Sequence, residues 1–210
     1  MQENRERKPR HFIFGYGSLI NSISRSVTGE TGIAVAVKIS GFVRHWSRIS
    51  TDFGMSSVVV LPDENGACNG VLVEVDEAEF ASFDLRERGY QRVQVDSTKL
   101  SFYQAGFALT NDTQESVVWL YQARKINNPC EEFPVVFSYL DVILAGCLEY
   151  SEQFCEDFVQ LTQGWQHAML NDRQVPRYPR VQSSLDVEKL NPYIALKAPI
   201  SNAEIIRPYL

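Results

Sequence analysis

Four segments dense in β-branched and aromatic residues crowd the first half of the chain: Val35 to Ser50, Ser57 to Leu61, Gly70 to Val75 and Tyr90 to Val95. Side chains of this kind pack well on a pleated surface and poorly along a helix, so these segments commit the chain to a sheet. Turn formers separate some of them, as in the Pro-Asp-Glu-Asn-Gly run at 62–66. Phe12 to Phe14 forms a further short apolar strand, Val117 to Ala123 another, and the stretch from Ser97 to Leu109 one more, which makes six or seven.

Helices interrupt the strands. Asp76 stands as an N-cap with Glu79 three residues on, Phe80 and Phe83 share a face, and Gly89 ends the segment. Behind a Ser138 cap, Leu140, Ile143, Leu144, Cys147 and Leu148 fall at helical spacing, and Phe154, Phe158 and Leu161 repeat the pattern behind Ser151. These stripes read as core. Strands followed by helices indicate an α+β domain.

After Gly164 the texture changes. Pro176 and Pro179 oppose regular ladders, and Arg173, Arg177 and Arg180 cluster. We read residues 11–164 as the domain and 165–210 as an extension packed on it, with those arginines in a solvated loop rather than over a pocket.

With 44% hydrophobic residues in 210, the chain can bury a substantial core, and a net charge of -6 opposes a broad nucleic-acid surface, so the expected partner is a small molecule. No stretch approaches the roughly 18 apolar residues of a membrane span, and the charged start argues against a secretion signal, so a soluble cytoplasmic protein is expected. Cys68, Cys130, Cys147 and Cys155 follow no Cys-x-x-Cys spacing, and His11, His45 and His167 lie far apart. Reduced, mostly buried thiols and no metal are the expectation.

The segment that invites chemistry is Phe14-Gly-Tyr-Gly-Ser-Leu19. An apolar strand stops at a turn in which Gly17 has no side chain, so the amides of Gly17, Ser18 and Leu19 can converge on an anion, either a phosphate or a carboxylate. Both nucleotide patterns are incomplete here: glycines 15 and 17 are followed by Leu19 and Ile20, where a third glycine or a lysine would be needed. A plain turn is the other reading. Glu87, in Asp84-Leu-Arg-Glu-Arg-Gly-Tyr90, occupies a helix-to-strand junction from which rigid elements can aim a side chain into a cleft.

Taken together, Phe14–Leu19, the Gly-Val-Leu-Val-Glu-Val strand at 70–75, Arg-Glu-x-Gly-Tyr at 86–90, Trp-Leu-Tyr-Gln-Ala at 119–123 and the Tyr139–Glu149 helix resemble the γ-glutamyl cyclotransferase family in order and spacing over about residues 11 to 160. The resemblance implies a small mixed β-barrel with peripheral helices and an enzyme that needs no cofactor. It implies that Tyr16, Gly17, Ser18 and Leu19 bind the γ-glutamyl moiety through its α-carboxylate, that Glu87 is the acid/base, and that Tyr121 and Tyr139 are pocket tyrosines. The implied reaction is attack of the substrate's own α-amine on its γ-carbonyl, which closes 5-oxoproline and releases an amino acid, peptide or amine. Adjacent side chains diverge on a helix or strand, so neither Arg86 nor Arg88 is expected to pair with Glu87. Asn21 after Ile20, and the long tail, depart from glutathione-specific relatives. A binding module without catalysis, and a hydrolase built on one of the cysteines, are the competing classes.

Overall fold

The computed structural model describes residues 8–27, 32–87, 89–106, 109, 115–181, 185–200 and 205–206. Its centre is a long antiparallel hairpin of β2 (Ala34–Ser50) and β3 (Met55–Val75). The two expected strands at 57–61 and 70–75 are one element. The 62–66 run makes no turn, because Pro62 pairs with Phe42 at the edge of a register shift, and such a bulge accommodates a residue that cannot donate to the ladder.

Each half of the hairpin carries its own neighbours. The first half of β2 pairs with β5 (Leu100–Phe102), and the second half of β3 pairs with β1 (Arg10–Gly15). Next to β1 lies β6 (Ser116–Ala123) in parallel, then β4 (Tyr90–Val95). At the other end β2 takes β8 (Thr162–Gln163), and β3 takes β7 (Val135–Val136), followed by β9 (Met169–Leu170) and β10 (Ile205–Ile206). Among the described residues the result is a mixed ten-stranded sheet curled into a half-barrel with helices around it, where six or seven strands were expected. The additional strands are two-residue segments whose pairing depends on distant partners, which local pattern does not carry.

Both faces of the sheet are apolar, sorted by strand parity. Phe12, Phe14, Val37, Ile39, Leu72 and Leu120 join one core cluster. Their sequence neighbours Ile13, Val71, Val73 and Tyr121 join the other, with the helices.

The helices are α1 (Ser22–Ser26), α2 (Phe80–Arg86), α3 (Phe137–Leu148), α4 (Glu152–Leu161) and α5 (Val187–Ala195). None among the described residues is long and apolar enough to cross a membrane. Asp76 caps as expected, accepting from the Ala78 amide at 3.0 Å, but the first turn it opens is 3-10. Ser151 caps α4 through the Phe154 amide.

Ser138 departs from expectation. It lies inside the first turn of α3, where its hydroxyl donates to Asp172 at 2.6 Å and its amide donates to the same carboxylate at 2.8 Å. A side chain from beyond Gly164 therefore satisfies the helix end, as orphan amides there require.

The arginines of that later segment also differ from the solvated loop expected. Arg173 makes a two-pronged pair with the fully buried Asp141 of α3, both contacts at 2.7 Å, and reaches Asn191 of α5. Arg177 donates to the carbonyls of Gly54 and Glu132.

Candidate active site

β1 leads directly into the glycine turn. Tyr16 continues the parity of Phe12 and Phe14, with its ring centroid 6.4 Å from that of Phe14, and its hydroxyl donates to the Tyr121 carbonyl of β6 at 2.7 Å. Ser18–Ile20 then form one turn of 3-10 helix, closed by Ile20 N–H on Gly17 O at 2.9 Å.

Several groups clamp this turn from outside. Arg25, itself nearly buried, donates to the carbonyls of Leu19 and Ile20. Asn21 caps α1 by accepting from Ser24 N–H at 2.8 Å. Its backbone lies so close to α3 that a Cβ on Gly146 would stand 2.5 Å from Asn21 Cα, so only glycine fits there. The cap on Ser24, made by the side chain, gives the departure at Asn21 a structural role.

Behind the turn sits Arg44, fully buried. Burial of its charge pushes the guanidinium's pKa down. Bonds to Thr162 Oγ1, Asn69 O, Asn69 Oδ1 and Phe158 O offset that cost, as does stacking 3.8 Å over the Phe158 ring. A longer contact of 3.4 Å reaches Tyr16 O, which connects this buried network to the turn.

Gly17 faces the other way, into a cavity. A Cβ there would lie 2.9 Å from the Tyr139 hydroxyl and 3.1 Å from Val58 Cγ2. Tyr139, on the first turn of α3, is held edge-on to Trp46 at 6.0 Å and to Tyr178 at 4.9 Å.

Glu87 caps α2. Its amide donates to Phe83 O at 2.8 Å, and its carbonyl accepts from Tyr90 N–H at 3.0 Å, so helix end and strand start fix its backbone together. Arg88, and the side chain of Arg86, lie outside the described residues, and with them the expectation that neither pairs with Glu87.

All seven residues singled out from the sequence line one cavity of about 170 Å³: Tyr16, Gly17, Ser18, Leu19, Glu87, Tyr121 and Tyr139. They do not contribute equally. The Tyr121 hydroxyl is engaged by Asp84 at 2.7 Å, which together with burial pushes its pKa up, so Tyr121 offers the cavity a wall.

Tyr90 and Ser57, which the sequence reading passed over as site residues, also line the cavity. Burial pushes Tyr90 up to about 12, with the Glu87 carboxylate adding to the shift and Arg48 and the Ser57 hydroxyl opposing it. Arg48 lies 5.0 Å from the centroid of the Tyr90 ring. Burial also raises Tyr16 and Tyr139 well above the ordinary phenol range, and Tyr90 and Glu87 contribute to both shifts. The Ser18 amide, directed at Tyr139, offsets part of its shift. These three phenols and one carboxylate line the same cavity. Tyr90 was detectable in sequence: it begins the strand three residues after Glu87, where the same junction that aims the glutamate also aims the tyrosine.

A chamber of this size is well below the roughly 300–1,000 Å³ of a drug-sized site and suits a group of amino-acid dimensions. Among the described residues no group of three or more His, Cys, Asp or Glu is arranged to hold a metal ion. The four cysteines are unpaired; Cys68, Cys147 and Cys155 are buried, Cys130 is exposed, and burial pushes Cys68 up to about 11. None of the four lines the cavity.

No protein-family model matches the chain, and no curated protein matches it in sequence. Solved structures do match by fold. A γ-glutamyl cyclotransferase superposes with a TM-score of 0.56 at 13% identity, covering 72% of this chain and 88% of that one. An uncharacterized human protein gives 0.56 at 14% identity, covering 73% and 89%. YkqA of Bacillus subtilis gives 0.50 at 17% identity, covering 73% of this chain and 54% of that one. At these identities the superpositions show a shared fold alone.

Proposed function

We propose that this chain, which has the γ-glutamyl cyclotransferase-like fold, is itself a γ-glutamyl cyclotransferase that converts a γ-glutamyl compound into 5-oxoproline and a free amine. The observation that carries the reading is that Glu87 and the Tyr16–Leu19 turn, some seventy residues apart in sequence, line one small cavity.

In this reading the amides of Gly17 and Leu19 grip the substrate's α-carboxylate, and the Ser18 amide holds Tyr139 behind Gly17. The bound γ-glutamyl group curls so that its α-nitrogen approaches its γ-carbon. Glu87 accepts a proton from the α-ammonium, and the freed amine attacks the γ-carbonyl. The new carbon–nitrogen bond closes a five-membered ring. As the old amide bond breaks, Glu87 returns the proton to the departing nitrogen, then takes the second proton from the ring nitrogen and passes it to the released amine, which leaves as an ammonium. Protons and electrons balance without a cofactor.

Well-oriented intramolecular attack is equivalent to an effective molarity of roughly 10⁵ to 10⁸ M, so holding the curled conformer supplies much of the rate. Proton transfer by one positioned carboxylate adds about 10² to 10⁴. The buried phenols of Tyr90 and Tyr139 stay protonated at neutral pH and serve as hydrogen-bond donors rather than bases, while the Tyr16 hydroxyl donates to the Tyr121 carbonyl.

The test is release of 5-oxoproline from γ-glutamyl peptides and amines. Glu87→Gln should lose at least about a hundredfold in kcat while still binding substrate. Activity within tenfold of the parent removes Glu87 as the acid/base. Ligand binding by the parent with no turnover of any γ-glutamyl compound would favour a binding module instead.

A further inference from the structure

We propose that Arg180, on the segment beyond Gly164, determines specificity by pairing with a carboxylate on the leaving group. The inference rests on the reaction proposed above.

The inner cavity is continuous with a second, outer one of about 400 Å³: Ser18, Leu19, Ser57, Glu87 and Tyr139 line both. The departing nitrogen is released beside Glu87, at this shared boundary, so whatever it carries extends into the outer chamber. Among the described residues lining that chamber, Glu87 is the only acid and Arg180 the only base. The rest of the wall is apolar or neutral, including Phe53, Met55 and Tyr178.

Arg180 is held in place from below. Its guanidinium carbon lies 5.6 Å from the centroid of the Tyr178 ring. Tyr178 is buried, stands edge-on to Tyr139 and packs against Phe53 at 5.3 Å. Its amide donates to Ser138 Oγ at 3.1 Å, and one residue earlier Arg177 N–H donates to Asp172 at 2.7 Å.

The next residue, Val181, has φ of 66°, the sole non-glycine residue in the left-handed region among those described. A β-branched residue is held there only where its surroundings over-determine it, and such strain gathers at functional sites. The segment therefore delivers Arg180 to the chamber wall at some cost to the backbone.

A guanidinium at this position favours a carboxylate, which it can meet with two parallel N–H bonds, and opposes an ammonium. The leaving group is accordingly an amino acid or peptide bearing a free acid, rather than a polyamine or a lysine-type nitrogen carrying positive charge.

The experiment compares γ-glutamyl-alanine with γ-glutamyl-ethylamide, which differ only by the carboxylate. For the parent, kcat/KM should favour the acid by about 10- to 100-fold, the range of a charge-assisted hydrogen bond. In Arg180→Met the ratio should fall to within about threefold of unity, and in Arg180→Lys, which keeps the charge without the fork, to an intermediate value. A parent ratio near one, or one that survives Arg180→Met, overturns the assignment. If neither compound yields 5-oxoproline, the reaction reading fails separately. The preference is then read as Kd by calorimetry on the parent and Arg180→Met: tenfold tighter binding of the acid, lost with Arg180, upholds the assignment, and equal affinities overturn it.

Discussion

Gly17→Ala tests the geometry of the glycine turn with a single methyl group. The new Cβ would stand 2.9 Å from the Tyr139 hydroxyl and 3.1 Å from Val58 Cγ2, whereas ordinary contact begins near 3.4 Å, so the neighbours must give by about half an ångström. Tyr139 cannot swing aside freely, because Trp46 and Tyr178 meet its ring edge-on at 6.0 and 4.9 Å. Forcing a group into a well-packed site costs about 1–3 kcal/mol. For a chain of about this length each kcal/mol lowers Tm by roughly 2–4 °C, so a loss of roughly 2–12 °C is expected. On the proposed function kcat/KM falls as well, by about ten- to a hundredfold, since a misplacement near 1 Å costs about 10². The mechanism is checked by a double-mutant cycle. Tyr139→Phe removes the oxygen that the new methyl meets, so Gly17→Ala should cost at least about 1 kcal/mol less in that background than in the parent, measured by urea unfolding. Strictly additive effects, or a single variant that melts within 1 °C of the parent, would refute the close approach.

Removing Arg173 should leave the fully buried Asp141 carboxylate without its two-pronged partner, and breaking such a pair costs about 3–5 kcal/mol. Burial already holds Asp141 above the ordinary aspartate range in spite of Arg173. A carboxyl whose folded pKa exceeds its unfolded one binds more protons when folded, so its contribution falls as pH rises from the unfolded value through the folded one. The stability deficit of Arg173→Met should therefore shrink as pH is lowered through the acid range; a deficit independent of pH would contradict the assignment. Alkylation of the native protein at pH 8 followed by mass spectrometry should mark Cys130, with Cys68, Cys147 and Cys155 reacting only after denaturation. Rapid native labelling of Cys68, held at about 11 by burial, would show that the site is more open than its packing indicates.

Local pattern was sufficient for much of this protein. Strand parity from Phe12 through Tyr16 sets which side chains enter the half-barrel, and that parity is written residue by residue. The stripe of α4 and its Ser151 cap follow equally from short-range spacing. The Tyr16–Leu19 turn and Glu87 line one cavity for a similar reason: a turn ending a strand and a junction ending a helix are local devices whose partners are supplied by a common sheet, whereas Tyr121 and Tyr139 were named only through the family resemblance.

Pairings between distant segments needed the tertiary structure. The 62–66 run reads as a turn, yet β2 opposite draws it into a continuous strand by a shift of register. Ser138 reads as a cap, yet Asp172 takes that position from thirty-four residues away. Arg173 reads as solvated, yet a buried aspartate recruits it, and Arg180 reaches the outer chamber only because Tyr178 is anchored beneath it. Spacing along a chain determines which face a side chain points to, because backbone geometry repeats over a few residues. What lies opposite that face depends on packing between segments far apart in sequence, and no local rule encodes it.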